Sequence, residues 1–398
     1  MTESQIPEIT EQYYFNVFNR LPITLERGEG TRVWDEDGNE YIDFLAGIAV
    51  NSLGHNHPAV VKAIQEQSER LIHASNIFYY KKQAALIKKM AEVFDMDRIF
   101  LCNSGAEAVE GSIKLARRYA AKNGKNGEII TMENGFHGRT IATISMGMKK
   151  YQEGFDPMLG GFKEIPFNDI EALEAAFDEN TTGVILEIIQ GSGGLHVATK
   201  EFMKAIEKLC RKHNAAFIVD EVQTGVGRTG AWFSYQNFGV QPDIVASAKA
   251  LGNGFPIGAV LAREEVAEAM GSGMHGSTFG GNPVASAAAL ATLEEMEKQQ
   301  IVKQAAEKGA YFVEKLQELA DKLDGAIRDI RGLGLMIGVE LSFGCGDIVT
   351  EMLDRGIITN CTKGNVIRIV PPIIITAEEI DTYVEKLEES IKAVRAEA

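Results

Sequence analysis

Between residues 98 and 262, short apolar runs alternate with stretches in which apolar residues recur at three- and four-residue steps. Arg98 to Cys102, Glu128 to Met132, Gly183 to Ile188, Ala215 to Asp220, Asp243 to Ser247 and Ile257 to Ala262 read as strands. Asp169 to Phe177 and Lys200 to His213 read as amphipathic helices between them. Strand and helix in alternation predict an α/β fold whose open, mostly parallel sheet is covered on both faces. Ligands on such sheets bind at the carboxyl ends of the strands. Ser104, Glu187, Asp220 and Lys249 all fall at or just past a strand end.

The pattern changes towards both termini. Thr31 to Asp43 reads as a hairpin turned at Asp37-Gly38. After Pro283 comes a long Ala-rich helix, then a mixed segment with apolar stretches at Ile327 to Leu341 and Val366 to Val370. A last helix opens with the capping box Thr376-Ala377-Glu378-Glu379 and carries Ile380, Tyr383, Val384, Leu387, Ile391 and Val394 on one face. Three parts are expected: an N-terminal segment 1–60 packing with a small domain, a large domain 61–282, and the small α+β domain 283–398.

With 398 residues, 45% of them hydrophobic, the chain is long enough for two or three domains. Forty basic against fifty-six acidic side chains give a formal charge of −16, which repels nucleic acid and anionic membranes. A small anionic ligand is still possible, because helix ends and local arginines set the field within one pocket. Cys102, Cys210, Cys345 and Cys361 show no CxxC and no metal spacing, so free thiols, no metal and a reduced cytoplasm are expected. Met1 to Glu11 contain no apolar core of a signal peptide, and no apolar run approaches the roughly 20 residues of a membrane span.

Chemistry concentrates at Asp220, which closes one apolar run, and Lys249, which closes another. A buried carboxylate needs a partner, and burial makes a lysine easier to deprotonate. Together they suit pyridoxal 5'-phosphate: the carboxylate keeps the pyridine nitrogen protonated, and the amine holds the aldehyde as a Schiff base. The plainer readings are a cap or a salt bridge with Arg228 for Asp220, and a solvated edge position for Lys249. Asn103-Ser104-Gly105-Ala106-Glu107 lies between a strand and a helix, where Ser104 and Glu107 form a capping box and small residues leave N–H groups open to a phosphate. In Phe136-His137-Gly138-Arg139-Thr140, an aromatic ring could stack on the cofactor and an arginine could clamp a carboxylate. Taken singly, Phe136 fits a core position and Arg139 a surface ion pair; His137 is given a supporting role. Residues 276 to 282 add hydroxyls, and Arg368 stands in an apolar strand stopped by Pro371-Pro372.

These motifs, with Gly54-His55-Asn56-His57-Pro58 and Ser75-Asn76, occur in one order along nearly the whole chain. The chain resembles the class III aminotransferases of the fold-type I pyridoxal phosphate enzymes, most closely the acetylornithine and succinylornithine aminotransferases. The resemblance implies that Lys249 binds the cofactor covalently and shuttles a proton. It implies further that Asp220 pairs with the ring nitrogen, Gln223 touches the ring oxygen, and Phe136 and Val222 sandwich the ring. Ser104, Gly105 and Ala106 would hold the phosphate, joined by Thr278 of the neighbouring subunit of a homodimer. Arg139 would hold the distal substrate carboxylate and Arg368 the α-carboxylate of glutamate or 2-oxoglutarate, with Ser277, Ser192 and Phe18 beside the substrate. The implied reaction moves the ω-amino group of N-acetylornithine, or a similar acylated diamino acid, to 2-oxoglutarate.

Three positions depart from the family. Where its members usually read Glu-Pro-Ile-Gln-Gly-Glu-Gly-Gly, this chain has Glu187-Ile188-Ile189-Gln190-Gly191-Ser192-Gly193-Gly194, and Phe18 stands where many have tyrosine. In related enzymes the second glutamate is thought to mask the arginine matching Arg368, a charge that Ser192 cannot neutralise. Other ω-aminotransferases, acting on ornithine, lysine derivatives or 4-aminobutyrate, share these motifs, and a class III decarboxylase or epimerase is compatible with Ser192. A cofactor-binding regulator would need a DNA-binding appendage, and none is visible. A Rossmann dehydrogenase is excluded because no GxGxxG follows an early strand.

Overall fold

The computed structural model describes residues 5–397; residues 1–4, at the start of segment 1–60, and residue 398 lie outside the described residues. Strands β1 (Leu25–Glu29), β2 (Arg32–Asp35) and β3 (Glu40–Asp43) form an antiparallel meander, with the β2–β3 turn at Asp37-Gly38. Gly38 takes a φ of +84°, a left-handed conformation that glycine adopts without a Cβ penalty.

The central sheet has seven strands: β4 (Arg98–Cys102), β5 (Ile129–Met132), β6 (Phe162–Ile165), β7 (Gly183–Glu187), β8 (Ala216–Asp220), β9 (Ile244–Ser247) and β10 (Gly258–Ala262). Their order is β4-β10-β9-β8-β7-β5-β6. All pairings are parallel except those of β10, which runs antiparallel to both neighbours. Strands β7 and β8 are buried along their whole length, which explains why they read as unbroken apolar runs. The sequence pattern passes over β6, since Phe162-Lys163-Glu164-Ile165 offers two charged, exposed positions at the edge of the sheet.

The C-terminal part supplies β11 (Ile327–Leu333), β12 (Met336–Leu341), β13 (Ile357–Ile358), β14 (Asn360–Thr362) and β15 (Val366–Ile369). Four of these form an antiparallel sheet in the order β11-β12-β15-β14, while β13 pairs in parallel with β3 of the N-terminal meander. The final helix, Ala377–Glu397, is capped reciprocally: Glu379 N–H donates to Thr376 Oγ1 at 3.2 Å, and Thr376 N–H to Glu379 Oε2 at 3.0 Å.

One expectation is corrected. Cys345 and Cys361 form a disulfide, leaving only Cys102 and Cys210 as buried free thiols. The two bonded residues are separated by 16 positions, yet their Cα atoms lie 5.7 Å apart because β14 folds back beside the start of helix Gly346–Asp354. No short motif announces such a pairing. Among the described residues there is no cluster suited to a metal ion, and no helix is long and apolar enough to cross a membrane.

Candidate active site

A cavity of about 320 Å³ opens at the carboxyl ends of β5, β7, β8 and β9 and is lined by residues that follow each of them. Asp220 ends β8 and is 4% exposed. Its Oδ2 lies 2.7 Å from His137 Nδ1, and its Oδ1 accepts the Val222 N–H at 3.0 Å. Arg228 is not its partner: that guanidinium donates instead to the carbonyls of Leu335 and Pro371 and to Ser52 Oγ. Burial disfavours the charged form of His137, but the hydrogen bond to Asp220 and the Asp220 charge outweigh it and raise its pKa.

Lys249 follows β9 in a turn with φ +45°, a conformation that costs a non-glycine residue about 1 kcal/mol. Strain of this kind gathers at functional sites, where the surrounding structure enforces it. Burial, with the positive charge of Arg368, brings the Lys249 amine down to about 8, against the opposing pull of Asp220 and Glu187. Part of the amine is therefore neutral near physiological pH.

Glu187, at the end of β7, also faces this cavity. Its oxygens accept the N–H groups of Phe136 at 2.8 Å and Gly191 at 3.2 Å. Burial nevertheless pushes its carboxyl up to about 7, with Asp220 adding to the rise and His137 opposing it.

The helix Gly105–Lys122 points its N-terminus at the cavity through Ser104, Gly105 and Ala106. Ser104 Oγ accepts the Glu107 N–H at 3.2 Å, but Glu107 turns to the Asn103 N–H, so the expected capping box is only half formed. The first N–H groups of a helix have no partner within it and favour an anion. A Cβ on Gly105 would meet Val222 Cγ1 at 2.7 Å, so glycine is needed for this close approach.

Pyridoxal phosphate fits these residues. Buried Gln223 Oε1 has no hydrogen-bond partner and lines the cavity, as a ring substituent would require. Phe136 and Val222 line the same space, and the helix start offers a phosphate site on one side of it.

The remaining residues lie around this centre. Arg368, on β15, is 6% exposed and donates to Asn360 Oδ1 at 3.1 Å and to the Gly191 carbonyl at 3.3 Å. Burial lowers its pKa to about 10, a loss partly offset by Glu187. The carbonyl of Ser192, one residue beyond Gly191, accepts from Thr362 Oγ1 at 3.0 Å. Arg139 is exposed, its guanidinium 3.9 Å from the ring centre of Tyr151. Ser277 and Thr278 line a separate recess, where Ser277 Oγ accepts from Asn103 Nδ2 at 3.0 Å. Phe18 is 58% exposed beside Arg20 and Tyr14 and does not line the cavity.

The sequence pointed to Glu187 only as a strand-end position, with no specific role, and gave none to Tyr151 or Asn360. Glu187 carried a signal, a carboxylate closing a fully apolar strand. Asn360 could be found only from hairpin register, and Tyr151 only from the fold of the loop after Arg139.

The family model described as aminotransferase class-III matches residues 14–391. The chain is 49% identical over 398 residues to an acetylornithine aminotransferase of Methanocaldococcus jannaschii, an alignment covering 99% of this chain and all of that protein. A solved ornithine aminotransferase from Toxoplasma gondii, in which PLP partly occupies the active site, superposes with a TM-score of 0.95 at 37% identity and covers 100% of this chain and 96% of that one. The acetylornithine aminotransferase of Elizabethkingia anophelis gives a TM-score of 0.88 at 34% identity, over 98% of this chain and 99% of the other.

Proposed function

Because this chain belongs to the class III aminotransferases, which depend on pyridoxal phosphate, we propose that it moves the ω-amino group of N-acetylornithine, or a similar acylated diamino acid, to 2-oxoglutarate. The products are the semialdehyde and glutamate. The observation that carries the reading is a single cavity in which the Lys249 amine, brought down to about 8, faces the Asp220–His137 pair, with the buried cation of Arg368 close by.

When bound, pyridoxal phosphate supplies an electron sink for negative charge at the substrate carbon. Asp220 would hold a proton on the ring nitrogen, and His137 fixes the orientation of that carboxylate. Lys249 Nζ takes a proton from the substrate and returns it, a task suited to an amine whose pKa lies near the working pH. Ser104, Gly105 and Ala106 anchor the phosphate. Phe136 and Val222 would flank the ring, and Gln223 would offer its unpartnered oxygen to a ring substituent. Arg368 receives the α-carboxylate of glutamate or 2-oxoglutarate, Arg139 the distal one, and Ser192 borders the substrate; Ser277 and Phe18, which lie outside this chain's own cavity, would border it only from the partner subunit of the proposed homodimer.

The same proposal includes a cytoplasmic homodimer. Leu71, Ile72, Ile77, Phe78, Tyr79 and Phe279 are exposed large apolar residues, and Asn76 ties their two segments together by donating to the carbonyls of Ser277 and Gly280. A patch of this kind marks an interaction surface. Thr278 lies within it, which supports a role at the phosphate of the partner subunit. The division into 1–60, 61–282 and 283–398 is also proposed, supported by three sheets whose strands fall largely within those ranges.

A panel of single amine donors tests the reading through bleaching of the cofactor absorbance: N-acetylornithine, N-succinylornithine, ornithine, lysine and 4-aminobutyrate. Conversion of N-acetylornithine to its aldehyde ahead of the others is expected. Ser192 keeps a second reading in view, and release of carbon dioxide from a dialkyl amino acid with no aldehyde from any donor would replace the first by a decarboxylase.

A further inference from the structure

Arg368 is buried, yet both hydrogen bonds of its guanidinium end on neutral oxygens, Asn360 Oδ1 and the Gly191 carbonyl. A buried cation normally demands a carboxylate. The carboxylate whose charge acts on Arg368, Glu187, is already engaged by two backbone N–H groups, and burial pushes its carboxyl up to about 7. Near neutral pH it offers only part of a charge.

The hairpin of β14 and β15 explains how Asn360 comes to be there. It turns at Lys363 and Gly364, both with positive φ, and its register sets Thr362 opposite Val366 and Asn360 opposite Arg368. Directly opposed residues of an antiparallel pair share one face of the sheet. On the other side, β12 presents Gly338 to Arg368, so Asn360 is the one of its two cross-strand neighbours with a side chain. A guanidinium only donates, which requires the amide oxygen of Asn360 to face it. Thr362, on the same face of β14, holds the carbonyl of Ser192.

We propose that Asn360 is a specificity-determining positioning residue: its amide fixes the plane of the Arg368 guanidinium and, being neutral, leaves that charge to a substrate carboxylate. The inference rests on the assignment of Arg368 as the carboxylate site. Aspartate at 360 would keep the shape and the acceptor but satisfy the cation internally. Leucine would remove the acceptor and leave the cation available.

Steady-state kinetics of the holoenzyme with 2-oxoglutarate varied separate these cases. Asn360→Asp raises KM for 2-oxoglutarate about tenfold or more, the worth of a hydrogen bond to a charged group. In the same variant kcat falls less than about threefold, and Asn360→Leu raises KM by a smaller factor than Asn360→Asp. A merely structural amide predicts the opposite order, with aspartate silent and leucine severe. A KM in Asn360→Asp within about twofold of the parent would overturn the proposal. Arg368→Met distinguishes the two levels: if it too leaves that KM unchanged, the assignment of Arg368 fails. If Arg368→Met raises KM and Asn360→Asp does not, the Asn360 proposal fails alone.

Discussion

His137 Nδ1 lies 2.7 Å from Asp220 Oδ2, and both side chains are shut off from solvent. The carboxylate is thus held from two sides, by the imidazole and by the Val222 N–H. A ring nitrogen arriving in the cavity meets an acceptor whose orientation is already set.

The pair has a signature in the pH dependence of stability. Burial lowers the His137 pKa, the Asp220 bond and charge raise it more, and the net folded value stands above 6.5. The stabilisation is then complete below pH 6.5 and is lost as pH rises through the folded value. Thermal melts of the cofactor-free protein should fall across that window, and His137→Leu should flatten the slope. That variant leaves Asp220 without its charged partner, at a cost of about 3 kcal/mol.

Lys249→Ala should abolish turnover and the covalently bound cofactor's absorbance band together; full activity would refute the site. With the parent enzyme, the amine must be neutral to attack the aldehyde, and its pKa lies at about 8. The rate at which cofactor-free protein reloads with pyridoxal phosphate should climb with pH up to about 8 and level off above it.

Ser192→Glu introduces a carboxylate into the loop whose Gly191 carbonyl already meets Arg368. A hydrogen bond to a charged group contributes roughly 1.5–3 kcal/mol, about ten- to a hundredfold in an equilibrium. Product analysis with ornithine should therefore show more ω- and less α-amine removal in the variant. Equal regioselectivity would rule out the unmasked arginine.

Phe78 and Tyr79 are exposed at 58% and 104%. Charging both, as Phe78→Asp with Tyr79→Asp, should convert a dimer to monomer in sedimentation velocity runs. Cofactor affinity should fall with it, because each phosphate site would lose its Thr278. A double variant that stays dimeric would move the interface elsewhere.

Cys345 and Cys361 close a loop of 16 positions, and a loop of about that length contributes about 3 kcal/mol in the chain-entropy account. Cys345→Ser should lower the unfolding free energy of the oxidised protein by that amount, read as a lower urea midpoint at an unchanged m-value. Equal midpoints with and without dithiothreitol would remove the bond from the solution structure.

The cavity was legible because residues that line it end or follow apolar strands: periodicity located β8 and β9, and Asp220 and Lys249 end or follow them. Glu187 was visible as a strand end but not as a carboxyl pushed up to about 7, since that rise comes from burial in the assembled fold and outweighs the Phe136 and Gly191 N–H groups that oppose it. Asn360 and Arg368 meet through register, which a one-residue slip would undo. The disulfide was misread because 16 residues of separation carry no local signal. Thr278 and Phe18 do not line the cavity, and no local pattern in the chain assigns them a place there; both assignments came from the resemblance alone.

Asp220, Glu187 and Lys249 ride on the seven-stranded sheet, whereas Arg368 and Asn360 ride on the hairpin of another. If the proposed roles hold, the chemistry and the choice of acceptor are inherited from separate pieces of backbone. On the proposed assignments, mutational drift along the hairpin would retune which acid is accepted while the proton-handling lysine stayed untouched, a modularity by which one reaction could diversify into many.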